Sequence, residues 1–305
     1  MENTKTQIKQ KAVSLGFDIV GITGAEPIDN TNIEHLRQWL DAGLHAGMDY
    51  MLRNFEKRID PANLLKGAKS VICVGLNYKP AEPNPGHISN YALYDDYHVF
   101  IKQRLFSLAE FIKNEFKSDL KIKACVDSAP LAERALAVRA GLGFIGKNHM
   151  LTNPEFGNQL LLGELITNLP LDADEPFEQS CKDCDKCVKA CPTGALSKND
   201  FFDAQKCISY LTIEHKGQIP LGQQSTIDSR LFGCDKCQLA CPYNDTAGPC
   251  ANGDFKLHQK RCEITPEDIL KFTEKDFTEN FEDSAIERIG LEKLKTNAEI
   301  CIKNL

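Results

Sequence analysis

Seven of the thirteen cysteines fall into two linked runs, Cys181-x2-Cys184-x2-Cys187-x3-Cys191-Pro192 and Cys234-x2-Cys237-x3-Cys241-Pro242. In runs of this spacing three thiolates hold one [4Fe–4S] cubane, and the cysteine before proline crosses to the other cluster. Cys181, Cys184, Cys187 and Cys241 then form one set of four. Cys191, Cys234 and Cys237 leave a second cluster one thiolate short, and Cys207, between the runs, completes it. Zinc also takes Cys-x2-Cys pairs in tetrahedral sites, but four thiolates within eleven residues and a closing proline are not a zinc-ribbon spacing. Disulfides belong to oxidising compartments. The polar start, Met1 to Gln10, has no apolar core of an export signal. The thiols are therefore expected in a reducing compartment, the cytoplasm, where they bind metal. Cys73 and Cys125 lie in apolar runs and read as buried small hydrophobes.

At 305 residues the chain is too long for a bare ferredoxin, and no apolar stretch is long enough to span a bilayer. A net charge of −7 gives no global attraction to nucleic acid. The densest basic patch is Lys256, His258, Lys260 and Arg261, read first as a solvated surface segment. The only proline-rich stretch, Pro80 to Pro85, reads as a surface loop. Periodicity predicts helices over 5–15, 33–42 and 97–116, the last with Phe100, Leu105, Leu108, Phe111 and Ile112 on one side. Strands are expected at Phe17–Thr23, Ser70–Tyr78, Leu120–Val126 and Gln159–Thr167. Pro130 is expected to open a helix that Gly141 ends. Strands alternating with helices point to an α/β or α+β first domain. A capped start at Thr265-Pro266-Glu267-Asp268 opens a helical tail. The chain thus divides into residues 1–172, a cysteine domain at 173–252 and a tail at 253–305. A large domain ahead of a two-cluster module suggests a redox enzyme whose clusters feed electrons to a site in the first domain.

Asp127 follows the strand Leu120–Val126, where open α/β sheets place their ligands. A carboxyl group there serves as a proton donor if a low-dielectric site raises its pKa. It serves equally well as a cap for the helix at Pro130. Gly141-Leu142-Gly143-Phe144-Ile145-Gly146 has the spacing of a dinucleotide fingerprint, but it follows a helix and precedes a strand, the wrong context. A tight glycine loop approaching a flat ligand fits better, with Lys147 and Asn148 as polar contacts or plain surface. Arg58 is expected in a loop before a short helix. Asp96-x-His98 begins like the cobalamin-binding D-x-H-x-x-G motif, but Ile101 stands where glycine should be, so no lower histidine ligand is expected.

Val126-Asp127-Ser128-Ala129-Pro130-Leu131-Ala132-Glu133-Arg134-Ala135-Leu136-Ala137, continuing through Ala140-Gly141-Leu142-Gly143 to Gly146-Lys147-Asn148, resembles the central motif of the epoxyqueuosine reductases. The resemblance extends through both cysteine runs, Cys207 to Glu214, Phe232-Gly233-Cys234, and into the tail at Ser284-Ala285-Ile286 and Arg288-Ile289-Gly290. Tyr243 departs from the family's tryptophan after Cys-Pro.

That resemblance implies an α+β fold: a cobalamin-binding domain similar to that of reductive dehalogenases, a ferredoxin-like domain with two [4Fe–4S] clusters, and a short helical tail. It implies a cytoplasmic, monomeric oxidoreductase that converts epoxyqueuosine to queuosine at the wobble position of tRNA. Cobalamin is bound base-off, and a separate donor sends electrons through the clusters to make cob(I)alamin. Asp127 is implied as proton donor, with Arg58 as a cobalamin contact and Lys147, Asn148 and Tyr210 as further ones. Longer members add helical repeats after this tail, so any tRNA contact those repeats make is expected here to come from elsewhere or to be absent. Two rivals remain: a corrinoid reductase acting on a small molecule, and a two-cluster electron carrier for another enzyme.

Overall fold

The computed structural model describes residues 2–84, 86–116, 119–197 and 201–304; Pro85, the end of the expected proline loop, lies outside them. Helix α1 (Glu2–Ser14) leads into strand β1 (Ile19–Gly24). Helices α2 (Asn30–Asp41), α3 (Tyr50–Arg53) and α4 (Phe55–Ile59) follow. Strand β2 (Ser70–Asn77) is buried at all its positions, as its unbroken apolar run requires. Helix α5 (Tyr97–Glu115) and strand β3 (Ile122–Cys125) come next. After helix α6 (Glu133–Arg139), a two-residue hairpin of β4 (Phe144–Ile145) and β5 (Leu151–Thr152) precedes β6 (Leu160–Thr167).

Four strands form one sheet in the order β1-β2-β6-β3, and every pairing is antiparallel. The fold is therefore α+β. The rule that ligands gather at the carboxyl ends of a parallel sheet does not transfer to it. Helix α5 covers one face with Phe100, Ile101, Leu105, Leu108 and Ile112 buried. Phe111, expected on this side, is only partly buried against the core. Ile101 explains its own presence in place of the motif glycine: it is fully buried and packs over Gly163 of β6, where a Cβ would come within 2.6 Å of Ile101 Cγ2.

The opposite face carries α6, whose Leu136 and Ala137 pack with Val71, Cys73 and Cys125. Cys73 and Cys125 are each 1% exposed, the small hydrophobes that their context suggests. Close approach here needs Gly21, because a Cβ on it would sit 2.0 Å from the Ala140 carbonyl oxygen. Arg139 then ties α6 to the chain after β1, donating to the Gly24 and Pro27 carbonyls at 2.9 and 2.8 Å. The helix does not begin at Pro130 as expected. The Ala132 amide donates to the Arg58 carbonyl at 3.0 Å and the Leu131 amide to Ala129 at 2.8 Å, so residues 129–132 form a turn.

Apart from the cluster under α6, one apolar core runs from Ile8 and Phe17 through Leu105 to Leu211, Phe232, Phe281 and Leu294. The sheet region, the cysteine region and the tail thus bury side chains against one another. The tail includes the helices Pro266–Lys271, Glu274–Phe281 and Gly290–Asn304, and the first two of these open with full capping boxes at Thr265 and Thr273. The basic patch is not a solvated face at its centre. Arg261 is 2% exposed and donates to the Tyr94 carbonyl at 2.6 Å, to the Asn280 carbonyl at 2.9 Å, and to Asp283. His258 pairs with Asp95 at 2.7 Å. Among the described residues no helix is long and apolar enough to cross a membrane.

Gly21→Ala forces backbone against backbone, so it should cost about 1–3 kcal/mol and lower the thermal midpoint of the anaerobic protein. Gly222→Ala, in helix Leu221–Ile227 with open space around its Cβ position, should change stability by less than about 0.5 kcal/mol.

Candidate active site

Asp127 lies two residues beyond β3 in the left-handed region, φ +47°, unusual for a residue with a side chain. Its amide donates to Glu133 Oε1 at 2.6 Å, which clamps the loop to the first turn of α6. The carboxylate does not cap α6; that N-cap position is Ala132, without a side-chain bond. Instead Asp127 Oδ2 meets His98 Nε2 at 2.9 Å, and Arg288 of the tail stands 3.9 Å from the same oxygen. On its other side, His98 Nδ1 bonds Asp96 Oδ1 at 2.7 Å. Asp96 also caps α5 by accepting from the His98 amide, which fixes the histidine at the start of the helix. The Tyr97 ring stacks on the imidazole at 4.0 Å between centroids.

Burial pulls the Asp127 pKa upward, but the His98 hydrogen bond and charge, with Arg288, hold it below the ordinary value. This corrects the condition set for a proton donor: the carboxyl group is ionised at rest. His98 moves the other way. Burial lowers its pKa, yet the bonds to Asp127 and Asp96 outweigh that and raise it to about 9. Behind the loop, burial and then the Asp127 charge push Glu133 up to about 7. Glu164 on β6 is fully buried; burial and then the Glu133 charge raise its pKa well above the ordinary value.

Arg58 sits in the last turn of α4, not in the loop expected for it. Its carbonyl fixes Ala132, and its Nε is buried without a hydrogen-bond partner. An orphan donor beside the Asp127 loop fits an amide-rich ligand such as a corrinoid. The other expected contacts engage protein. The Tyr210 hydroxyl accepts from the Gly47 amide at 2.9 Å, and Lys147 Nζ donates to the Lys182 carbonyl at 2.9 Å.

All thirteen cysteines are free thiols. Their mutual charge effects sort the eight motif cysteines into two groups. Cys187 feels Cys181 and Cys241, while Cys241 feels Cys181 and Cys184. In the second group Cys237 feels Cys234, Cys207 and Cys191. No three cysteine sulfurs lie within 4.8 Å of one another among the described residues; the only such set of ligand atoms is Asp95, His258 and Asp283. Four sulfurs around one zinc would stand about 3.8 Å apart, given Zn–S bonds of about 2.3 Å.

The residues after the glycine loop join both groups to the carboxylate site. The Lys147 amide donates to Cys181 Sγ at 3.4 Å. Asn148, 7% exposed, reaches the Cys237 carbonyl at 3.5 Å. The His149 carbonyl accepts from Arg134, next to Glu133. Sequence reasoning missed His98, Glu133 and Arg288 as site residues. His98 left a trace in the incomplete D-x-H motif, and the other two stood inside matched segments without a role.

The model of the family "Epoxyqueuosine reductase QueG, DUF1730" matches residues 58–128, and that of the "4Fe-4S double cluster binding domain" matches residues 180–244. Epoxyqueuosine reductase of Vibrio cholerae is 40% identical over 98% of this chain and 82% of its own length. The Leadbetterella byssophila enzyme is 41% identical over 97% of this chain and 98% of its own. Among solved structures, an epoxyqueuosine reductase with an epoxyqueuosine-modified tRNA-Tyr stem loop matches with TM-score 0.91 and 32% identity, covering 99% of this chain and 82% of that one. The Bacillus subtilis enzyme, solved with its catalytic aspartate loop swung out of the active site, matches with TM-score 0.90 and 31% identity over 99% of this chain and 82% of that one. The chain belongs to the epoxyqueuosine reductase family and is an oxidoreductase.

Proposed function

We propose that this enzyme reduces epoxyqueuosine to queuosine in the anticodon of tRNA, using base-off cobalamin and two [4Fe–4S] clusters. The reading is supported above all by segment 147–149, which touches both cysteine groups and, through Arg134, the acid site. When bound, the corrinoid supplies a nucleophilic low-valent metal centre and the clusters a path for single electrons.

The protein's own residues do the rest. Cys181, Cys184, Cys187 and Cys241 hold one cluster, and Cys191, Cys207, Cys234 and Cys237 the other. The Lys147 amide, donating to Cys181 Sγ, adds positive character beside a thiolate and raises the potential of that cluster. Asn148 and Tyr210 brace the ligand loops, and Arg58 offers its orphan Nε to a corrinoid amide. Asp127, its carboxylate 47% exposed and its backbone clamped by Glu133, faces the substrate oxygen and delivers the proton. A tRNA anticodon reaches the site from the open side of Asp127, and a separate one-electron donor docks elsewhere.

Anaerobic turnover of epoxyqueuosine-containing tRNA should require added cobalamin; turnover without it, or of a small epoxide with tRNA ignored, overturns the reading. Cys207→Ala should lower iron from about eight to about seven or fewer per chain, whereas Cys250→Ala should leave the count unchanged. Asp127→Asn should slow turnover about 100- to 10,000-fold with cobalamin and iron content intact.

A further inference from the structure

Removing an epoxide oxygen consumes two electrons and two protons. Both C–O bonds break, a C=C bond forms, and the oxygen leaves as water. A carboxyl group holds at most one of those protons, and Asp127 holds none at rest because its partner keeps it ionised. The proton must wait somewhere within reach of Oδ2. Among the described residues two side chains hydrogen-bond the Asp127 carboxylate: His98, with Nε2 at 2.9 Å from Oδ2, and Tyr97, whose hydroxyl burial makes a far weaker acid, so the imidazolium is the group that can give up a proton near neutral pH.

We propose that His98 stores the proton that Asp127 delivers, acting as a positioning and proton-supplying partner that never touches the substrate. The inference rests on Asp127 being the proton donor. Substrate closing over Asp127 removes water from a half-exposed carboxylate and favours its neutral form. The proton then crosses from His98 Nε2 to Asp127 Oδ2 and on to the substrate oxygen. The second proton enters from water and reloads the same pair before hydroxide leaves as water. Electrons come singly from the reductase's own donor through the clusters, so the balance closes.

The surroundings of His98 are built for storage. From α5, Asp96 fixes Nδ1 at 2.7 Å and Tyr97 stacks on the ring. Asp127 comes from the loop after β3, and its amide is clamped by Glu133 of α6. Arg288, from turn Ala285–Ile289, faces Asp127 and, at 4.0 Å, Glu214. At longer range, Tyr91 and Tyr50 also feel the Asp127 charge, as does Arg58. Two carboxylates in direct contact outweigh one half-exposed arginine, so the imidazole stays charged. Its charge is present below about pH 9 and lost above it.

Histidine NMR of the anaerobic enzyme with isotope-labelled imidazoles, together with kcat against pH, tests the idea. One resonance, absent in His98→Gln, should titrate near pH 9 and move to lower pH in Asp96→Asn. Turnover should fall tenfold per unit above that same midpoint. The limb should shift acidward by about one unit, a tenfold change, in Asp96→Asn, and His98→Gln should lose at least tenfold in kcat at pH 7. Iron content and tRNA affinity should hold in both variants. A His98 resonance that is neutral at pH 7 overturns the proposal, as does an alkaline limb unmoved in Asp96→Asn. Should Asp127→Asn remain active, the proton-donor reading itself fails. Should it be inactive while His98→Gln keeps the wild-type profile, only the role of His98 fails.

Discussion

The hydrogen bond from the Asp127 amide to Glu133 holds the loop after β3 in place. A residue with a side chain at positive φ costs about 1–3 kcal/mol and persists only where its surroundings over-determine it. Here the surroundings are one carboxylate at 2.6 Å. That carboxylate is itself buried next to Glu164, and two charges so placed would repel strongly. Burial and the Glu133 charge raise the Glu164 pKa, which favours its uncharged form and eases that contact. The aim of Asp127 therefore depends on the charge state of a group buried beneath it, on strand β6.

The cysteine grouping was legible because ligand spacing is a local property. Crossover through the Cys-Pro steps and the gap that Cys207 fills follow from counting thiolates. The buried strand β2 and the capped tail were legible for the same reason. What escaped was non-local. The sheet is antiparallel throughout, and alternation of strands with helices does not reveal strand direction. Pro130 has the chemistry of a helix start, but the Arg58 carbonyl, 74 positions before Ala132, takes the amide that follows and moves the start to Glu133. Arg261 read as surface because its partners Tyr94 and Asp283 lie far along the chain.

Long-range contacts also explain why the tail belongs to the site. Ser284 Oγ bonds the Ala92 carbonyl at 3.1 Å, and Asn297 donates to the Thr212 and Leu231 carbonyls at 2.9 Å each. These buried bonds fix turn Ala285–Ile289 against the segment before α5 and against the helix that follows Cys207. Arg288 is thereby carried to a point between Asp127 and Glu214. A surface arginine would contribute little; one held there by a buried frame helps to hold the Asp127 pKa down.

The incomplete D-x-H motif now has a physical reading. A histidine that ligates a metal must be neutral and must leave one ring nitrogen free. His98 has neither property, since both nitrogens face carboxylates and together they keep the ring protonated. Ile101, in the place of the motif glycine, fills the core over Gly163 and leaves α5 no room for a ligand to approach from that side. The imidazole is instead held between two carboxylates at the start of α5, an arrangement suited to the proton-storing role proposed for it. The loop that Glu133 holds is where this pair and the cysteine-bearing segments come together, through Arg134 and residues 147–149.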